Sequence, residues 1–270
     1  MTDKPQSPGW LARLRGRMLR RWPMRAPLVF DVGANLGQDS RYYLDKGFNV
    51  IAIEADPALC EKLRSRFADE IALDRLRVVE VGVGEEPGIL PFYVNEFSEW
   101  SSFNPDTKAT KELEHQVMHL PVVPLSELIA RHGRPYYLKL DIEEFELAAV
   151  TGLGTGPRPP PYMSFEINRH WQAILERLAG LGYSGFQLIR QGKDFLPRPP
   201  SPAREGATHV TRFTNAHSGP FGRDLPDTWL PPAAIEAHVQ AALTEARQRV
   251  NAGEKHGWFD LHARHAKAPR

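Results

Sequence analysis

Residues 31–37, Asp-Val-Gly-Ala-Asn-Leu-Gly, follow the apolar run Leu28-Val29-Phe30 and precede an amphipathic stretch from Ser40 to Lys46. An apolar strand that turns on glycines into a helix is the opening of a nucleotide-binding α/β unit. Glycines let the backbone turn sharply and let a ligand approach without a Cβ in the way. Backbone N–H groups at the helix start then offer a site for an anion.

Seventeen residues past Gly37, at the end of the next apolar run Val50-Ile51-Ala52-Ile53, stands Glu54. A carboxylate there can accept from the hydroxyls of an adenosine ribose. A dinucleotide needs G-x-G-x-x-G, but this turn has Asn35 and Gln38 where the second and third glycines belong. Asp31 adds an acceptor at the head of the turn. The spacing suits S-adenosylmethionine (SAM), whose amino-acid end carries an ammonium and no pyrophosphate. A nicotinamide-dependent oxidoreductase is the weaker cofactor reading, and a bare structural turn with a surface glutamate is the bland one.

The body alternates short apolar runs with helical spacing, as in a mostly parallel sheet with helices on both faces. Asp56-Pro57 caps a helix over about 57–69 with Leu59, Leu63 and Phe67 on one face, and Gly47 closes the helix before it. Strands are expected at Leu76–Val83, Ile89–Val94, Tyr136–Leu140 and Tyr162–Ile167. Helices are expected around Leu125–Ile129, around Leu147–Val150, and after Asn168 with Trp171, Leu175 and Leu178 inward. The weakly periodic stretch 95–120, with Trp100-Ser101-Ser102-Phe103, reads as an inserted active-site loop. Phe186–Ile189 and Thr208–Phe213 read as a closing antiparallel pair. A helix over about 232–250 and a frayed His-rich tail at 253–270 complete a single domain spanning 27–252.

The sequence also resembles the FkbM-type methyltransferases, over about residues 28–190. The resemblance rests on Val29–Gly37, on Ile51–Glu54 with Asp56-Pro57, on Leu138-Lys139-Leu140-Asp141-Ile142-Glu143 with Glu146, and on Ser164–Asn168. It implies a Rossmann-like class I SAM-dependent methyltransferase acting on a hydroxyl of a sugar, glycolipid or polyketide. After Asp-x-Glu the family has a glycine and a small residue; this chain has Glu144 and Phe145. The cofactor-binding residues expected are Asp31, Gly33, Ala34, Asn35, Gly37, Glu54, Ala55, Val81, Gly82 and Asp141. Catalytic candidates for taking a hydroxyl proton are Asp141, Glu143, Glu166 and His170. Glu143 and Glu146 read equally well as acidic residues at a helix start.

Residues 1–27 hold seven basic residues against Asp3 alone, a local charge of +6 in a chain whose total is +1. Trp10, Leu11, Leu14, Met18, Leu19 and Trp22 interleave with those arginines, so the arm can form a basic amphipathic helix for an anionic membrane surface or a partner. A solvated arm packed on its own domain is the alternative. The near-neutral total gives no reason to expect nucleic acid. With one cysteine, Cys60, there is neither an intrachain disulfide nor a thiolate cluster. No metal-ligand spacing stands out, and His262 and His265 read as tail residues. Without a signal or membrane-spanning segment the expected place is the cytoplasm, with contact at the inner membrane surface through the arm. The expected acceptor is a small molecule or glycan; a methyltransferase of nitrogen or carbon, or a SAM-binding scaffold without catalysis, are the alternatives.

Overall fold

The computed structural model describes residues 26–154, 158–254 and 257–269. The amphipathic reading of residues 10–25 lies outside them. The first unit is β1 (Leu28–Val32), the glycine turn, α1 (Gln38–Asp45) and β2 (Asn49–Glu54). It continues into α2 (Pro57–Arg66), the short α3 (Ala68–Ala72) and β3 (Leu76–Glu80). Asp56 caps α2 by accepting from the Ala58 N–H at 2.7 Å, with proline at the first position, as the sequence predicts. Leu59, Leu63 and Phe67 are buried, and so is Cys60.

After β3 the chain leaves the main sheet. β4 (Gly82–Gly84), β5 (Gly88–Asn95) and β6 (His115–Pro124) form a small second sheet in the order β4-β6-β5. The expected loop at 95–120 is therefore shorter than predicted: only residues 96–114, with the short helix α4 (Lys108–Glu112), project from a hairpin. Strand β6 hides from periodicity because Gln116 to His119 pair with β5 while remaining largely exposed. Next come α5 (Leu125–His132), closed by Gly133, then β7 (Tyr137–Leu140), α6 (Glu146–Thr151), β8 (Tyr162–Glu166) and α7 (Trp171–Gly180).

The C-terminal part corrects the sequence reading. β9 (Tyr183–Arg190) does not pair with Thr208–Phe213, which forms no strand; its partner is β10 (Phe259–His265), preceded by α8 (Pro232–Asn251). The supposed tail is thus an internal strand, antiparallel to both β8 and β9. Leu261 and Ala263 point into one core while His262, stacked on Tyr137, is buried on the other face. The alternation is there, but polar residues on the second buried face disguise it. Val210, by contrast, is 91% exposed and has nothing to pack on.

The main sheet has the order β3-β2-β1-β7-β8-β10-β9 among the described residues, parallel from β3 through β8. Helices cover both faces. Tyr42, Tyr43, Leu63 and Phe67 pack with Val29, Val50 and Tyr137 on one; Leu128, Val150, Ile174, Leu178 and Val239 pack with Phe30, Ile51 and Leu138 on the other. Chain order reverses between β1 and β7. In open α/β sheets a crevice opens there, beyond the strand carboxyl ends. No helix among the described residues is long and apolar enough to cross a membrane.

Candidate active site

A cleft of about 630 Å³ opens at that reversal point. Its floor is the glycine turn. Gly33 has φ +78°, and a Cβ there would lie 1.7 Å from the Asp141 carbonyl oxygen, so only glycine fits between β1 and β7. Asn35 is also left-handed, at φ +48°. Its backbone N–H donates to Glu54 Oε2 at 2.8 Å, while the N–H groups of Ala55 and Asp56 donate to Oε1 at 2.8 and 2.9 Å. Burial raises the Glu54 pKa and these three bonds oppose the rise. A carboxylate has about four lone-pair positions, so one remains unfilled on a residue that lines the cleft.

Of the residues expected to bind cofactor, Gly33, Ala34, Asn35, Glu54, Ala55, Val81, Gly82 and Asp141 line the cleft. Gly82 is packed so closely that a Cβ would meet the Phe103 ring at 2.4 Å. Two expected residues do not line it. Gly37 (φ +77°) faces Phe67 and Leu63, and its lack of a side chain lets α1 sit against α2. Asp31 is fully buried beneath the turn, accepting from the Ser40 hydroxyl at 2.6 Å. Its pKa is pushed up to about 6, chiefly by burial and against the pull of Lys139.

Lys139 is the residue the sequence reading missed. It lies in the core strand β7, reaches the cleft, and its Nζ stands 3.0 Å from Asp39, 3.2 Å from Asp141 and 3.7 Å from Asp31. One ammonium among three carboxylates leaves this end of the cleft negative. A lysine in the middle of Tyr-Leu-Lys-Leu was itself the signal, since a buried lysine requires partners.

The catalytic candidates divide. Asp141, Glu143 and Glu166 come together, with carboxylate oxygens within 4.8 Å of one another. That spacing could hold a cation, which was not anticipated for these same three residues from the sequence. Asp260, the register partner of Glu166 on β10, adds a fourth carboxylate, this one buried, beside three that are partly exposed. Burial first, then repulsion from Asp141, pushes Glu143 up to about 9 and raises Glu166 as well. His170 does not join them: it lies outside the cleft lining, at the start of α7, beside Arg169.

The turn that carries these carboxylates is braced. Glu146 is buried, not a solvated helix-start residue; it accepts from the Ile142 N–H at 2.9 Å and from Asn168 Nδ2 at 2.5 Å. Glu143 and Glu144 are both left-handed, at φ 53° and 65°. The Ser102 hydroxyl, buried instead of facing the cleft, donates to the Glu143 carbonyl at 2.6 Å.

A model of the methyltransferase FkbM domain matches residues 31–184, more than half of the chain. The chain belongs to the FkbM methyltransferase family. Its Rossmann-like sheet, with an antiparallel strand inserted near the C-terminal edge, is the class I methyltransferase fold. Among solved structures it is similar to a methyltransferase FkbM from Methylobacillus flagellatus KT, at 20% identity over 62% of this chain and 40% of that one, with a TM-score of 0.40. The chain thus spans well under half the length of that protein. It is also similar to the C-terminal domain of precorrin-6Y C5,15-methyltransferase from Rhodobacter capsulatus, at 13% identity over 97% and 91% of the two chains, with a TM-score of 0.38. No curated protein sequence matches. At Glu144, where the resemblance leads one to expect a glycine, the backbone is left-handed, a conformation that glycine adopts freely.

Proposed function

We propose that this FkbM-family protein is a SAM-dependent O-methyltransferase acting on a hydroxyl of a sugar, glycolipid or secondary metabolite. The observation that carries the reading is the meeting of three carboxylates, Asp141, Glu143 and Glu166, at the end of the cleft next to the glycine turn. The residues fit the cofactor. Gly33 and Gly82 are positions where a Cβ would collide with neighbouring protein atoms, so the floor is built close-packed from glycine backbone that lines the cleft. Glu54 is held rigid with one acceptor position left for a ribose. The surplus negative charge around Lys139 suits a cationic amino-acid end.

When bound, SAM supplies a methyl on a sulfonium that is already a good leaving group. What remains for the protein is alignment and proton removal. Asn35, Glu54, Val81 and Gly82 would fix the adenosine, and Asp141 would accept from the ammonium. Glu166 and Glu143 would hold the acceptor hydroxyl and take its proton. Their raised pKa values make them stronger bases than an ordinary carboxylate, and a neighbouring positive charge returns them to the ionised form. Trp100, backed by Phe97, and Trp258 give the mouth an apolar rim for the acceptor.

Retained catalysis is favoured over a scaffold role because Glu144 and Phe145 stay out of the cleft. Glu144 pairs with Arg169 at 2.9 Å and Phe145 packs on Phe103. The test is incubation with SAM and a panel of hydroxylated sugars, glycolipids and metabolites, with products read by mass spectrometry. An O-methylated product whose rate drops ~10²- to 10⁴-fold in Glu166→Gln or Glu143→Gln supports the reading. Methylation confined to nitrogen or carbon contradicts it.

A further inference from the structure

The chain between β9 and α8 runs irregularly through residues 191–231 and lies beyond the family match. Its stretch Asn215-Ala216-His217-Ser218 nonetheless forms one wall of the cleft. The stretch is pinned: the Ser218 N–H donates to both carboxylate oxygens of Asp39, at 3.0 and 3.2 Å. Asp39 in turn meets Lys139 on β7. The wall therefore stands over the start of α1, next to Lys139 of β7.

Two side chains of this wall have their acceptor atoms engaged from behind. The Thr214 N–H donates to His217 Nδ1 at 3.1 Å, and the Lys193 N–H donates to Asn215 Oδ1 at 3.0 Å. An imidazole whose Nδ1 accepts is neutral and carries its proton on Nε2. Burial, which lowers the His217 pKa, favours the same neutral form. An amide whose oxygen is taken presents its Nδ2 hydrogens. Both residues thus bring donors to the cleft, and neither donor is engaged by another group of the described protein.

Acceptors dominate the neighbourhood, in Asp31, Asp39 and Asp141, and Lys139 is already shared among them. A pair of spare donors lining the same cleft as Asp141, at an end where carboxylates outnumber the one ammonium, matches a zwitterion: the acceptor takes the ammonium and the donors take the carboxylate. We propose that His217 Nε2 and Asn215 Nδ2 bind the carboxylate of the cofactor's amino-acid end, while Asp141 accepts from its ammonium. This rests on the reading of the cleft as a SAM site and assigns its amino-acid end to a segment outside the family match.

Calorimetry with two probes tests it on the full chain. S-adenosylhomocysteine has the amino-acid end; methylthioadenosine keeps the adenosine and thioether but lacks that end. His217→Ala and Asn215→Ala each weaken S-adenosylhomocysteine by roughly ten- to a hundredfold and leave methylthioadenosine unchanged, which also shows that the variants are folded. His217→Gln, which keeps a donor, recovers most of the loss. Unchanged S-adenosylhomocysteine affinity in both alanine variants overturns the inference alone, and so does equal weakening of the two probes. Wild-type protein that binds neither probe overturns the cofactor reading together with it.

Discussion

Asn168 donates from Nδ2 to Glu146 Oε2 at 2.5 Å, and the other oxygen of that carboxylate receives the Ile142 N–H. One buried side chain therefore ties the end of β8 to the turn after β7, the two places that supply Glu166 and the Asp141–Glu143 pair. Glu146→Ala leaves both donors unpaired in the interior and should cost about 2–4 kcal/mol of stability. Because the adenosine cradle is elsewhere, turnover should fall far more than cofactor affinity. Denaturant unfolding together with kcat and SAM binding checks this; equal losses in both would locate the effect elsewhere.

The crowded carboxyls predict a pH dependence of stability. Glu143 is raised to about 9, Glu146 to about 7, and Glu166 is raised too, each mainly by burial. A carboxyl with a higher pKa folded than unfolded binds more protons in the native state, so stability falls as pH rises through that window. Melting temperature of the cofactor-free protein should decline from about pH 5 to pH 9. The decline should flatten in the Glu143→Gln/Glu166→Gln double variant. A melting temperature independent of pH across that range would show that the cluster is solvated or already neutralised.

Two glycines with similar φ separate conformational strain from contact. Gly33→Ala would put a Cβ against the Asp141 carbonyl, whereas Gly47 (φ +87°) has nothing within 4 Å of an added Cβ. Gly47→Ala should cost only ~1–2 kcal/mol for the left-handed backbone. Gly33→Ala should cost well over that and abolish cofactor binding. Urea midpoints of the two variants decide it.

Glu144 occupies a left-handed position at φ 65°. Glu144→Gly relieves about 1–2 kcal/mol of backbone strain, offset by its ion pair with Arg169, which at a half-exposed site is worth under ~1 kcal/mol. A small net gain in stability with unchanged SAM affinity is expected from parallel unfolding and binding curves.

What the sequence could disclose follows from where each feature's physics resides. The turn at 31–37, the Asp56 cap and the strand carrying Asp141 are local, set by residues adjacent in the chain. They are legible because glycine, proline and apolar runs act over short range. Strand β10 was not, since both its faces are buried and one is polar, so His262 read as tail. The carboxylate cluster joins residues from the turn after β7, from β8 and from β10 that only the sheet register brings together. Asn215 and His217 lie in a segment without periodicity, where neither strand nor helix spacing could mark them. Lys139 was within reach: a charge inside a four-residue core strand needs counter-charges nearby.

The most direct test of the account is SAM binding by calorimetry on wild type and Glu54→Ala, with NADH as the competing cofactor. The account predicts SAM binding that weakens by ~1–3 kcal/mol when the carboxylate is removed, and no binding of NADH. NADH binding in place of SAM, or SAM affinity indifferent to the loss of Glu54, would contradict it.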